Sequence, residues 1–304
     1  MDKFYADTVR LLLSVAPDVF RSNAFSLKGG TAINLFVRDM PRLSVDLDLV
    51  FTQRKPKRED ALKKIAEEME AIKQCLEKRN LTVKSISPTG FGDSKLIIND
   101  REIQIKIEVN HIFRGTVLPP IRRQLAAKVS SSFSVELEVP VLVVDELYGS
   151  KLVAAFDRQH PRDFFDVLQL YNIGGITDKM IECFVIYLAG HNRPTHEVLF
   201  ANPKEITAEF ENAFVGMTDT PVTLKEIEST RNRLFEELPH QLSSKHKKYL
   251  TGLTRAEPDW SLLQCPFADE LPAIRWKLKN LKKFKSDNPT AFETQASKLE
   301  ALLQ

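Results

Sequence analysis

Two short runs carry the residues best suited to chemistry: Lys28-Gly29-Gly30-Thr31, and Ser44-Val45-Asp46-Leu47-Asp48 a few residues later. The apolar lead-in over 24–27 predicts a short strand, and 31–38 has the composition of a helix beginning at the glycine break. Successive glycines let the backbone turn sharply and approach a ligand closely. A helix N-terminus placed there offers N–H groups and a positive dipole end to a phosphate. The run 45–51 alternates with period two. Ser44, Asp46 and Asp48 therefore share one strand face, with Val45, Leu47 and Leu49 on the other. Neighbouring carboxylates repel, and a divalent cation such as Mg²⁺ or Mn²⁺, held also by substrate phosphates, removes that cost. Together the two runs point to nucleotide chemistry. Gly29, Gly30 and Thr31 are expected at the phosphates, the Thr hydroxyl assisting. Ser44 is expected to touch the nucleotide or to be modified by a partner.

A second cluster lies at 145–167. Asp145 is expected to cap a helix that carries Lys151, with Leu147, Leu152, Val153 and Ala154 on its buried side. Pro161 cannot sit inside a helix without breaking a backbone bond, so it predicts the first position of a second helix. Asp163 and Asp166, three residues apart, then share one side of that helix. A lysine among carboxylates suits a triphosphate, although the same residues would also make a salt-bridged helix corner.

Gly29-Gly30 followed by Asp46-x-Asp48, then Lys151-x-x-Ala154-x-x-x-Arg158 and Arg162-Asp163-x-x-Asp166, resembles the two motif blocks of the AbiEii/AbiGii toxin family of nucleotidyltransferases. The motifs span 24–170, about half the chain. The resemblance implies an α+β fold: a nucleotidyltransferase mixed-sheet core, then a mostly helical C-terminal region. It implies transfer of a nucleoside monophosphate from an NTP to an acceptor. Asp46 and Asp48 would hold the metal, with Glu108 as an optional third carboxylate. Lys151 would neutralise phosphates, Asp166 or Asp163 would orient it or assist proton transfer, and Arg162 would serve a phosphate or a carboxylate. Family members are typically toxins opposed by a separately encoded antitoxin, and some relatives extend the 3′ end of tRNA. The acceptor expected from the resemblance is therefore tRNA. A protein or small-molecule acceptor, or an NTP-binding module without catalysis, are the alternatives.

The remaining elements must position these groups. The chain has 304 residues, 43% apolar and 28% charged, enough for a sizeable core, and a formal charge of only +2. The expected division is a core with its N-terminal helix over 1–144 and a helical region over 145–304, of which 145–172 supplies the Lys/Asp block. Helices are predicted over 2–16 and 57–79, and strands over 81–87, 95–98, 102–109 and 133–144, the last broken at Pro140. Asn99-Asp100 marks a hairpin turn. Beyond Tyr171, helical patterns cover 178–189, 203–214, 224–238, 244–251 and 272–284. Base concentrates at 245–248 and 275–285, where a Lys-rich helix with Trp276 and Phe284 packed inward could meet RNA phosphates. Cys75, Cys183 and Cys265 lack metal-ligand spacing, and the polar cluster at His191–His196 lacks partners for a metal. No secretory signal and no apolar run near the length of a bilayer span is evident, so a cytoplasmic location is expected.

Overall fold

The structure, a computed structural model, describes residues 3–86, 94–218 and 221–304. Asp2 and Ser87, at the ends of two expected elements, lie outside them. The chain forms two compact units, 1–147 with 216–221, and 148–215 with 222–304.

The first unit contains strands β1 (Phe25–Lys28), β2 (Asp46–Phe51), β3 (Thr82–Ile86), β4 (Ser94–Asp100), β5 (Ile103–Val109), β6 (Ile121–Gln124) and β7 (Glu138–Val141). They form one mixed sheet in the order β3-β4-β5-β2-β1-β7-β6, with β2/β5 and β1/β7 parallel and the other pairs antiparallel. With the helices this is an α+β fold. Alternation decides which faces are buried: Leu47, Leu49, Ile105, Ile107 and Val109 enter the core between their polar neighbours. Helix α1 (Lys3–Val19) buries Val9, Leu12, Leu13 and Ala16, while Phe4 in its first turn is exposed. A short helix, α2 (Gly29–Thr31), runs into a π-helical turn (Ala32–Val37). Helix α3 (Arg58–Glu77) buries Ala61, Ile65, Met69, Ile72 and Leu76 at three/four spacing.

Two expectations change here. Phe133 closes helix α4 (Ala127–Phe133) instead of opening a strand, and β7 runs through Pro140 instead of breaking at it. Proline removes a donor, not an acceptor, so a strand can carry it where its missing N–H is not needed. The stretch 110–132, which has no periodic signal, supplies β6 and most of α4. The segment 216–221 returns to this unit, where Leu43 N–H donates to the Met217 carbonyl at 2.8 Å.

Helix α5 (Val144–Arg158) begins in the first unit and continues into the second. Asp145 lies in its first turn and not at the cap. Glu146 is wholly buried and accepts from the N–H groups of Val117 and Leu118 at 2.8 and 2.9 Å. The second unit continues with α6 (Pro161–Tyr171), α7 (Asp178–Ala189), α8 (Thr195–Leu199), α9 (Thr207–Ala213), α10 (Leu224–Gln241), α11 (Ser244–Thr254), α12 (Pro272–Asp287) and α13 (Pro289–Leu303). Phe156 stacks on Phe235 with centroids 4.6 Å apart, joining α5 to α10. A Cβ on Gly149 would stand 2.5 Å from Cys183 Cβ and 2.8 Å from Phe184 N, so α5 and α7 cross where only glycine fits. Among the described residues, no helix is long and apolar enough to cross a membrane.

Candidate active site

In the first unit β1 delivers the chain to Gly29, whose φ of +73° lies in the left-handed region that glycine adopts without strain. The position also requires glycine for space. A Cβ there would stand 2.3 Å from Asp48 Oδ2 and 3.1 Å from Asp48 Cβ and Cγ. Lys28 pairs with Asp48 across the antiparallel β1/β2 ladder. The glycine turn is thus packed directly against the second aspartate of the Asp-x-Asp strand.

The turn is tied to that strand a second time. Thr31 Oγ1 lies 2.9 Å from Ser44 Oγ and donates to the Asp46 carbonyl at 2.5 Å. Thr31 is fully buried, and these bonds hold the turn, the connecting loop and β2 in fixed register. Ser44 is half-buried beside it. Asn34 Nδ2 donates to the Gly30 carbonyl at 2.9 Å and fixes the turn from the helix side.

Asp46 and Asp48 are half-buried while Leu47 and Leu49 are buried, so both carboxylates stand on the less covered face of β2. In the parallel β2/β5 register Asp46 faces Lys106 and Asp48 faces Glu108. Glu108 is paired in turn with Lys95, Nζ to Oε1 at 2.7 Å. A cross-strand row, Lys28, Asp48, Glu108 and Lys95, therefore alternates cation, two anions, cation. Outer lysines lower the cost of two adjacent carboxylates in the middle. Among the described residues, no three His, Cys, Asp or Glu side chains form a group that could hold a metal ion. Two carboxylates on one strand face suit a Mg²⁺-type ion that takes its remaining ligands from water and substrate oxygens.

Arg42, which the sequence did not single out, lies beside the glycine turn. It is 4% exposed, its Nη1 donates to the Leu43 carbonyl at 2.9 Å, and its Nη2 would lie 2.8 Å from a Cβ on Gly30. A guanidinium thus flanks the second glycine as a carboxylate flanks the first. An arginine in a loop between two motifs carries no periodic signal; only the folded loop brings it to the turn.

The second unit brings together Lys151, Asp163 and Asp166. Lys151 Nζ bonds Asp163 Oδ1 and Asp166 Oδ2, each at 2.9 Å, and all three side chains are buried. Arg158 Nη2 reaches both oxygens of Asp163 at 3.0 and 2.9 Å from the solvent side. Local chemistry sets this corner. Gln159 turns the chain with φ +58°, its side chain fixed to the Asn202 carbonyl and the Lys204 N–H at 2.8 Å each. His160 caps α6, its Nδ1 accepting from Arg162 N–H at 3.1 Å, and Pro161 occupies the first turn. Asp163 and Asp166 then face back toward α5. Arg162 is half-buried. His191 lies 3.4 Å from Asp157 in an ion-pair corner with Arg193.

A family model described as nucleotidyl transferase AbiEii toxin, type IV TA system, matches residues 10–280. Among solved structures, the chain is similar to MenT4, a nucleotidyltransferase toxin from Mycobacterium tuberculosis H37Rv. The TM-score is 0.60 at 17% identity, over 92% of this chain and 94% of that one. No curated protein matches.

Proposed function

The chain belongs to the AbiEii nucleotidyl transferase toxin family of type IV toxin–antitoxin systems, and from that premise we propose that it transfers a nucleoside monophosphate from an NTP to the 3′ hydroxyl of tRNA. The observation that carries the reading is the contact of Gly29 with Asp48, which sets bare backbone for a phosphate beside a carboxylate pair for a metal.

In this reading the backbone of Gly29 and Gly30 receives the triphosphate, with Arg42 adding positive charge at the second glycine. Thr31 and Ser44 do not spend their mutual hydrogen bond on substrate; they keep the turn and the strand at fixed distance. Asp46 and Asp48 would hold Mg²⁺ or Mn²⁺. Such an ion, when bound, neutralises phosphate charge and favours the ionised form of an attacking hydroxyl. The acceptor oxygen bonds to the α-phosphorus, the bond from that phosphorus to the bridging oxygen breaks, and pyrophosphate leaves with the electron pair. The hydroxyl proton passes to water.

Lys151 is the proposed phosphate cation of the second block. An ammonium has three N–H donors, and Asp163 and Asp166 take two of them at 2.9 Å. We assign the third to a phosphate oxygen. Both carboxylates then act as positioning groups for Lys151, because each already bonds its ammonium. A separately encoded antitoxin is the proposed partner.

The test is transfer from each α-³²P-labelled NTP to total tRNA with Mg²⁺, beside an Asp46→Ala control. Label in tRNA with wild type only is the expected result. Label on protein, or transfer undiminished in Asp46→Ala, would overturn the assignment.

A further inference from the structure

Helix α12 is amphipathic in an unusual way. Its inner side buries Ala273, Ile274 and Leu281 and packs Phe284 against Phe292, with ring centroids 6.0 Å apart. Lys277 also turns inward, its Nζ donating to the carbonyls of Arg193 and Asn192 at 2.7 and 3.4 Å. The remaining basic residues face out. Arg275, Lys279, Lys282 and Lys283 are exposed, and steps of three and four residues place them on one face. Trp276, expected to pack inward, is 44% exposed on that same face, with Lys279 Nζ 5.6 Å from its ring centroid.

The helix carries six basic residues against the single acid Asp287, in a chain whose formal charge is only +2. The charge is therefore local. Among the described residues Lys279, Lys282 and Lys283 enter no ion pair, whereas Lys285 pairs with Glu257 at 3.0 Å. Trp276 adds an exposed indole to this lysine face, the kind of ring on which a nucleic-acid base stacks.

We propose that this face of α12 binds the sugar–phosphate backbone of the nucleic-acid acceptor, with Lys279, Lys282 and Lys283 on phosphates and Trp276 against a base. The proposal rests on the RNA-acceptor reading above and names the surface that grips the RNA. The dimensions agree. From Arg275 to Lys283 the helix advances about 12 Å at ~1.5 Å per residue, the length of about three or four phosphates at ~3.4 Å per nucleotide of a duplex strand. A membrane surface is disfavoured because an interfacial helix needs a broad apolar outer face, and here Trp276 is the helix's one large exposed apolar side chain.

The test measures binding of end-labelled total tRNA to the full chain by anisotropy, without NTP, across a salt series. Three neutralised phosphates give a log–log salt slope of about −2 on single strands and about −2.7 on duplex. The Lys279→Glu/Lys282→Glu/Lys283→Glu variant is expected to lose that increment and at least about tenfold in affinity at moderate salt. Trp276→Ala is expected to weaken binding about fivefold or more. In a Trp260→Phe background, added RNA should quench Trp276 emission. Circular dichroism and NTP binding equal to wild type show that the charge variant is folded. Equal affinity and slope in the charge variant would overturn the proposed face. So would emission that responds to phosphatidylserine vesicles and not to RNA. If wild type labels tRNA while the charge variant binds it equally well, the face alone falls. If wild type neither binds nor labels tRNA, the RNA-acceptor reading falls with it.

Discussion

Gly29→Ala is the most direct probe of the way this site is built. Two costs follow from the backbone. An L-residue at φ +73° pays about 1–2 kcal/mol for the left-handed conformation. The added methyl would also stand 2.3 Å from Asp48 Oδ2, where ordinary contact begins near 3.4 Å, so that oxygen must move by about 1 Å. Turning the carboxylate about its own bond is insufficient, because Asp48 Cβ and Cγ are themselves only 3.1 Å from the new atom. The side chain must move as a body. A displacement of about 1 Å at a reacting group costs on the order of 100-fold in rate. The expectation is a folded protein, less stable by more than the backbone cost alone of about 1–2 kcal/mol, whose kcat/KM for NTP transfer falls about 100-fold. Gly30→Ala serves as the comparison. Its methyl would meet Arg42 Nη2 at 2.8 Å and Ser44 Oγ at 3.0 Å, side-chain tips that can give, so its loss should be much smaller. The assay is initial-rate label transfer together with thermal melts of both variants. In an Asp48→Ala background the 2.3 Å contact is absent, and Gly29→Ala should cost less stability than in wild type. A Gly29→Ala enzyme within about threefold of wild type, or an equal stability cost in both backgrounds, would refute the coupling of turn and carboxylate.

Two further expectations concern the second unit. Lys151→Ala takes the shared ammonium from two buried carboxylates, of which Asp163 keeps Arg158, and should destabilise by roughly 3–5 kcal/mol; Lys151→Arg should recover more stability than activity. Melts beside label transfer would check this, and a fully stable Lys151→Ala protein would show that the carboxylates do not depend on the ammonium. Burial alone would raise the pKa of Glu182, but the bond to His246 at 3.0 Å and the N–H groups of Gln264 and Cys265 hold it below its ordinary value. A carboxylate depressed in the folded state stabilises above its unfolded pKa, about 4.3, and loses that contribution as pH falls through the folded value. Wild type should therefore lose stability below about pH 4.3, and Glu182→Gln should be less stable near neutrality with a flatter acid limb. Parallel acid limbs for the two proteins would contradict the assignment.

Much of the site was legible because its signals are local. Period-two alternation put Asp46 and Asp48 on one face of a strand, and β2 shows that alternation in its burial. Pro161 marked the start of α6, and the three-residue spacing put Asp163 and Asp166 on one side of it. The α+β class followed from the same local periods together with the family resemblance. Misreadings fell where local signal is weak or ambiguous. The stretch 110–132 has no clear period, and its β6 exists because β7 offers an edge to pair with. Pro140 reads as a break, yet β7 runs through it.

What the sequence determined by itself was the set of chemical groups and the faces of the elements that carry them, since both depend on residues a few positions apart. Tertiary structure alone decided how distant groups meet. It brought Asp48 against Gly29, placed Arg42 at Gly30, paired Glu108 with Lys95 and tied the Thr31 hydroxyl to Ser44 and the Asp46 carbonyl. It also turned Trp276 outward and Lys277 inward on α12, though both carry large side chains on the same helix. Contacts of this kind depend on which surfaces pack together and which backbone carbonyls are left for a buried ammonium, and no local period encodes either.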